Sequence, residues 1–308
     1  MNNTMLYALT VLIWGSTWYA ITFQLGEVHP VLSVAYRFML ASAVLFIFLK
    51  LSKKRDIPKF TRAQHITIAM QGFYLFSLNY VLFYFGTAHL TSGLVAIIFS
   101  TMTLMNIFNQ ALFFGIRVRP QVALGSLFGL AGIVMVFWPE VNALTTTSGT
   151  MKGIWLCLAA SYCASIGNMV SMKNSREGVP VMAANTFGMM YGAGFSIVLA
   201  VILGAKITFE PTYGYTLSLI YLAVFGSAIA FGCYLTLMKN IGADKAAYAT
   251  VLFPLVALAI STMFEGYVWS PLSMIGVALT LFGNIVAMAN RERMLHWRRK
   301  KSLPQDAA

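Results

Sequence analysis

Residues 113–132, FFGIRVRPQVALGSLFGLAG, return in outline at 264–283, FEGYVWSPLSMIGVALTLFG. Phe113 falls on Phe264, Gly115 on Gly266, Pro120 on Pro271, Gly125 on Gly276, Leu130 on Leu281 and Gly132 on Gly283, a constant shift of 151 positions (266 − 115 = 151). At a shift of 150, Glu27-Val28-His29-Pro30-Val31 lies over Glu177-Gly178-Val179-Pro180-Val181. Glycine and proline carry much of the agreement. They set helix starts and close helix contacts, so the correspondence is structural: the chain is one unit written twice.

The medium in which that unit folds follows from composition. Of 308 residues, 59% are apolar and 10% charged, with a mean hydropathy of +0.75. Soluble domains carry about 25% charged residues, so this chain has too little polar surface for a globule in water. Cys157, Cys163 and Cys233 all fall in apolar stretches, three cannot pair completely, and their spacing is not that of a metal site.

A spanning helix needs roughly 20 mainly apolar residues. Such runs are predicted at 4–24, 31–51, 64–86, 92–116 and 121–138, then at 153–172, 181–203, 216–238, 246–265 and 271–290. The expected fold is therefore all-α and polytopic, with ten transmembrane helices in two five-helix repeats at 1–142 and 143–290, followed by a basic tail at 291–308. Five is odd, so the second repeat enters the membrane inverted relative to the first. The first run has no basic segment before it and no small-residue cleavage site after it, and is read as a retained helix.

Charge placement sets the orientation. Lys53, Lys54, Arg55, Lys59 and Arg62 follow the second run, Arg117 and Arg119 the fourth, Lys173 and Arg176 the sixth, and Lys239 and Lys245 the eighth. Arg291, Arg293, Arg298, Arg299, Lys300 and Lys301 follow the tenth, while the alternate gaps hold only Lys152 and Lys206. Positive charge accumulates on the cytoplasmic side, which predicts both termini in the cytoplasm; the membrane itself is expected to be a bacterial inner membrane. The net charge of +12 thus serves topology and lipid contact, and no nucleic-acid partner is expected.

Ile13-Trp14-Gly15-Ser16-Thr17, His29-Pro30 with Tyr36-Arg37-Phe38, and the tandem pair Phe113-Phe114-Gly115-Ile116-Arg117 and Phe264-Glu265-Gly266 together resemble the EamA-like group of the drug/metabolite transporter superfamily over essentially the whole chain. The resemblance implies a ten-helix secondary transporter, often an exporter of amino acids or related metabolites. Where that group has Leu-Gly-Glu, this chain has Phe-Gly-Ile in the first half and places Glu265 before Gly266 in the second.

Charges inside a membrane are costly and mark functional candidates. Arg37 lies roughly 9 Å from the start of its helix at 1.5 Å per residue, on the outer side. It could bind a substrate carboxylate, or it could act as a fixed charge reaching headgroups or neighbouring carbonyls. The resemblance, which places Arg here among transporters of varied substrates, favours a structural or gating role. Glu265, near the outer face, is a candidate for proton coupling or for pairing with a basic group, or is simply solvated. Pro254, mid-span, removes a backbone donor and bends its helix. Gly125-x-x-x-Gly129 and Gly188-x-x-x-Gly192 permit close helix contact.

The first run holds no acidic residue, so the embedded glutamate of small multidrug pumps is missing. There is no Walker lysine, no His-Glu-x-x-His and no buried carboxylate pair; no catalytic residue, metal or cofactor is expected, and the chain is not read as an enzyme. What remains is a route of amides, phenols and indoles able to orient a zwitterion or an aromatic solute. Trp14, Asn79, Tyr80, Tyr84, Asn106, Asn168 and Tyr248 are the expected substrate-binding residues, drawn from a wider set including Tyr74, Ser77, Ser100, Asn109, Gln110, Tyr234 and Thr250. The function read from these features is export of neutral or aromatic amino acids or related metabolites by alternating access, as a monomer or weak homodimer in contact with lipid. Protons are a candidate coupling ion. The alternative is a passive facilitator for small polar solutes.

Overall fold

The structure, a computed structural model, describes residues 2–51, 59–118, 120–142, 148–241 and 249–288; the tail expected at 291–308 lies outside them. Among the described residues there is no strand. In chain order the helices are α1 (Asn3–Thr22), α2 (Pro30–Leu51), α3 (Arg62–Thr87), α4 (Ser92–Phe114), α5 (Pro120–Asn142), α6 (Ser148–Arg176), α7 (Val181–Ile202), α8 (Tyr213–Ile220 continuing through Ala230–Ile241), α9 (Ala249–Phe264) and α10 (Pro271–Met288). Seven are long and apolar enough to cross a membrane, and Pro120–Val136, Leu252–Phe264 and Pro271–Ala287 add three shorter apolar segments.

Local chemistry fixes the ends. Asn2 accepts from the Thr4 amide at 3.3 Å to cap α1, and Thr61 and Gln64 form a reciprocal capping box at α3. Pro30, Pro120 and Pro271 open α2, α5 and α10, where the missing N–H has no intrahelical acceptor to lose. The matched glycines Gly115 and Gly266 both take left-handed backbone, with φ of 66° and 69°. They end α4 and α9 in the same way. α6 begins earlier and ends later than hydropathy alone predicts, because its polar ends, including Lys173 and Arg176, stay helical outside the apolar run.

α5 and α10 show directly that the halves run in opposite directions. A Cβ placed on Gly125 would lie 2.5 Å from the Gly283 carbonyl, and one on Gly276 would lie 2.6 Å from the Gly132 carbonyl. The start of α5 thus meets the end of α10, and the end of α5 meets the start of α10. Since the two helices are equivalents in the repeat, antiparallel packing between them requires the repeats to be inverted. Gly188 and Gly192 of α7 similarly face Phe76 of α3. These small-residue stripes serve packing within the chain.

The remaining contacts have the same exchange symmetry. α1 packs on α9 and α8, and its equivalent α6 packs on α4 and α3; α2 against α7, α4 against α9 and α5 against α10 are self-equivalent. The connection 88–91 can span at most about 14 Å, so α4 must turn back alongside α3. α1, α3, α5, α7 and α9 accordingly start at one face, called here the N-terminal face, and the others start at the far face. Leu12, Ile47, Phe48, Leu127, Val134, Ile202 and Leu217 point outward and are more than half exposed. Lipid is the medium in which such a surface is not a penalty.

Candidate functional site

Between the repeats lies a cavity of about 540 Å³, lined mainly from α1, α2, α3 and α4 of the first half and α6, α8 and α9 of the second, with Val122 of α5 and Ala287 of α10 at one end. It runs from Ile21 and Arg37, toward the far face, to Arg117, Val122 and Ala287 at the N-terminal face. Its wall is aromatic and amide-rich, and among the described residues it carries two arginines and no carboxylate.

The cavity is blocked at the far end by rings. Trp18 stands 5.1 Å from Phe83 and 5.1 Å from Phe99, Phe83 is 5.4 Å from Phe99, and Phe99 is 5.7 Å from Phe253. Further out, the Glu265 carboxylate closes the α4–α9 contact. It accepts from the Ser92 amide at 3.0 and 3.1 Å and from the Ser92 hydroxyl. Glu265 thereby satisfies an otherwise unpaired donor at the start of α4, where the helix dipole favours negative charge. Its partners here are Ser92 groups and not a basic side chain; pairing with a base was one of the three readings weighed from sequence, beside proton coupling and simple solvation. The equivalent position in the first half is Phe114, and the Arg176 guanidinium sits 4.2 Å from its ring centre. The position equivalent to Glu265 thus carries an aromatic ring and not a carboxylate.

Trp14, Asn79, Tyr80, Asn106 and Asn168 all line the cavity, as does Arg37. Trp14 donates to the Gly226 carbonyl at 3.2 Å and packs against Phe231 and Tyr234, with centroids 5.4 and 5.1 Å away. Asn168 donates to Asn106 at 3.3 Å, joining α6 to α4 nearer the N-terminal face. Asn79 is buried, and its Oδ1 has no hydrogen-bond partner. Tyr84 lies behind the wall: the face of α3 toward the cavity is Leu75, Phe76, Asn79, Tyr80 and Phe83, and Tyr84 is fully buried on the adjacent side. Tyr248 lies outside the described residues. Pro254 is inside α9 beside the lining residue Phe253 and is not itself on the wall.

Of the wider polar set, Gln110 and Tyr234 line the cavity. Ser77 instead pairs with Ser196 at 2.8 Å and Asn109 donates to Ser165 at 2.8 Å. These bonds tie α3 to α7 and α4 to α6, the usual work of small polar residues between membrane helices.

Sequence reasoning missed the π-helical turns. α3 is π-helical at Tyr74–Leu78 and α8 at Tyr221–Ile229. They are the third helices of the two halves, and at the shift of 150 the first turn falls at 224–228, inside the second. A π turn adds a residue per hydrogen bond and rotates the face that follows, which in α3 brings Asn79 and Tyr80 to the cavity. In α8 it sets the Gly226 carbonyl toward Trp14 and the Ser227 hydroxyl toward Arg37 Nε at 3.4 Å. Hydropathy carries no signal for this wider turn. The related clasps Gln24–Ser218 at 2.6 Å and Asn174–Gln71 at 2.9 Å were also missed; Gln24 and Asn174 fall on each other at the shift of 150 and are legible in retrospect.

Comparison with known proteins gives the same outline. The model of the EamA-like transporter family matches residues 3–138 and 151–289. The chain is 28% identical over 283 residues to a protein of Escherichia coli (strain K12) described as "Uncharacterized inner membrane transporter YedA", covering 91% of this chain and 88% of that one. It is 25% identical over 307 residues to a "Probable terminal-alkyne amino-acid exporter" of Streptantibioticus cattleyicolor, covering 96% and 95% of the two. A solved crystal structure superposes over 97% of this chain and 99% of its own with a TM-score of 0.67 at 18% identity, a likeness of fold alone.

Proposed function

The chain belongs to the EamA-like transporter family, and from that premise we propose that this membrane transporter moves amino acids or related small organic metabolites by alternating access, in the direction of export. The observation that supports this most is the cavity itself. It is bounded by both inverted repeats, reaches the N-terminal face and is stopped short of the far face by Trp18, Phe83 and Phe99. Exchange of the two halves' conformations would close the first end and open the second. With both termini cytoplasmic, as the basic gaps predict, the conformation described is open inward, the state that loads an exporter.

The volume suits a single amino-acid-sized solute, and the wall suits one with an apolar or aromatic side chain held among Trp14, Trp18, Phe99, Phe231 and Phe253. Transport without chemical conversion of the solute is the reading, in a bacterial inner membrane, as a monomer or weakly associated homodimer.

Counterflow in proteoliposomes tests it: a carrier saturates and exchanges labelled for unlabelled solute, whereas a passive facilitator gives unsaturable flux. Asn79→Ala and Tyr80→Ala are expected to lower kcat/KM by about tenfold or more, the value of one or two hydrogen bonds or stacking contacts, with membrane insertion unchanged. Unaltered kinetics in both variants would remove these residues from the site.

A further inference from the structure

The cavity's far end holds a cation that, among the described residues, no carboxylate answers. Arg37 is 2% exposed, on a span of α2, yet among the described residues no carboxylate lies within ion-pair distance of it. Its guanidinium lies over the Tyr80 ring at 4.6 Å and the Phe38 ring at 5.4 Å, and Nε reaches the Ser227 hydroxyl only at 3.4 Å. Nη1 has no hydrogen-bond partner. The aromatic faces offset part of the cost of a buried cation, but they are a weak substitute for an anion.

Its neighbourhood has unfilled valences too. Asn79, on the same cavity wall, has an unpartnered Oδ1, while the buried Tyr84 hydroxyl behind the wall interacts with Arg37 itself. An Arg donor and an amide acceptor on one cavity wall are thus both left without a partner. Elsewhere in the bundle Ser77 pairs with Ser196, Asn109 with Ser165 and Gln71 with Asn185. Gln24 Oε1, Asn174 Oδ1, Ser261 Oγ and the Asn284 amide also lack partners, but they lie away from the cavity, and what sets Arg37 and Asn79 apart is that both line it. At the other end of the cavity stands Arg117, exposed at the mouth, so the route carries positive charge at both ends.

We propose that Arg37 is the specificity-determining residue of the transport site, binding the carboxylate of the solute at the closed end of the cavity, with Asn79 Oδ1 accepting from a donor such as an α-ammonium group beside it. The planar guanidinium matches a carboxylate in geometry and charge, and the anion supplies the partner that the protein withholds. The solute's side chain then points toward Trp14, Phe231 and Tyr234. This assignment rests on the transport reading for its meaning, but it is tested separately from it.

The experiment compares acids with their uncharged counterparts: L-amino acids and 3-phenylpropionate against the corresponding amides, on purified wild-type protein, Arg37→Gln, Arg37→Lys and Asn79→Ala. Thermal stabilisation in detergent reads binding, and proteoliposome counterflow reads transport. The expected result is stabilisation by one or more of the acids and at least about tenfold weaker effect of the matched amide, the loss typical of a missing charge-assisted hydrogen bond. Arg37→Gln removes the acid-over-amide preference, Arg37→Lys keeps part of it, and Asn79→Ala weakens amino acids more than 3-phenylpropionate. A merely structural arginine would not move that preference.

Amides binding as well as acids, an undiminished preference in Arg37→Gln, or no stabilisation by any carboxylate in the series would each overturn the assignment. Should Arg37→Gln not fold, the wild-type comparison and Arg37→Lys still decide it. Acid-selective binding without counterflow leaves Arg37 assigned and sinks the transport reading; saturable counterflow of uncharged solutes indifferent to Arg37→Gln does the reverse.

Discussion

Gly125→Leu is expected to remove nearly all folded protein from the membrane. The α5–α10 seam is a backbone-to-backbone contact: a Cβ on Gly125 would lie 2.5 Å from the Gly283 carbonyl and 2.6 Å from the Ala287 amide. Carbon atoms rest at about 3.5–4.0 Å, so even the first atom of the new side chain forces the helices apart by about 1 Å. The rest of the leucine then has to be housed in a seam that has no room for it. Overpacking a core costs about 1–3 kcal/mol or more. Here no flexible side chain can yield, and the displaced helix takes the whole C-terminal element of a repeat with it. The cost therefore lies above that ordinary range, and a loss of about 5 kcal/mol or more against a total stability of about 5–15 kcal/mol collapses the monodisperse peak in size-exclusion chromatography. Gly283→Leu, across the same contact, should behave alike. Gly194→Leu is the control: on α7, a Cβ there meets nothing within 4 Å, and the variant should elute as wild type. Equal yields for all three would show that the seam is not a determinant of the fold.

That seam also shows what a reader of the sequence could and could not see. The repeat, the ten apolar runs and the inversion were open to inspection, because glycine and proline at fixed spacing and basic residues in alternate gaps are one-dimensional signals. Helix ends shifted by only a few residues, for the physical reason that caps and polar turns extend beyond the apolar stretch. The site was legible only in part. Asn79, Tyr80, Asn106, Asn168 and Trp14 share a cavity because each is a polar or amphipathic residue inside an apolar run, and such residues turn away from lipid. That rule says inward, and it does not say toward which neighbour. Tyr84, Ser77 and Asn109 obey it equally and face other helices instead. The distinction depends on helix rotation, which the π turns at Tyr74–Leu78 and Tyr221–Ile229 reset. Glu265 was visible as an interfacial acid, but its partners are the amide and hydroxyl of Ser92 on another helix; the backbone amide leaves no trace in a residue string, and nothing in the string pairs that serine with that acid.

Glu265 leads to the second large effect. If the halves exchange conformations, the contact between the start of α4 and the end of α9 must part once in every cycle. Cysteines at Ser92 and Glu265, in a background with Cys157, Cys163 and Cys233 replaced, fall where the Glu265 carboxylate now meets both the Ser92 amide and its hydroxyl. A disulfide or one-carbon thiosulfonate bridge there holds the far face shut. The expected outcome is all-or-none: counterflow falls to the protein-free background on cross-linking and returns on reduction, while solute still stabilises the cross-linked protein because the cavity remains open to the N-terminal face. Ser92→Ala/Glu265→Ala, which lacks the latch without adding a bridge, should keep saturable exchange, since it removes a restraint on one state and leaves the route intact. The two read-outs part the hypotheses. Flux lost with binding retained is what a gate imposes. Undiminished flux through fully cross-linked protein would mean that solute crosses without the far ends of α4 and α9 separating, and alternating access about this cavity would be untenable.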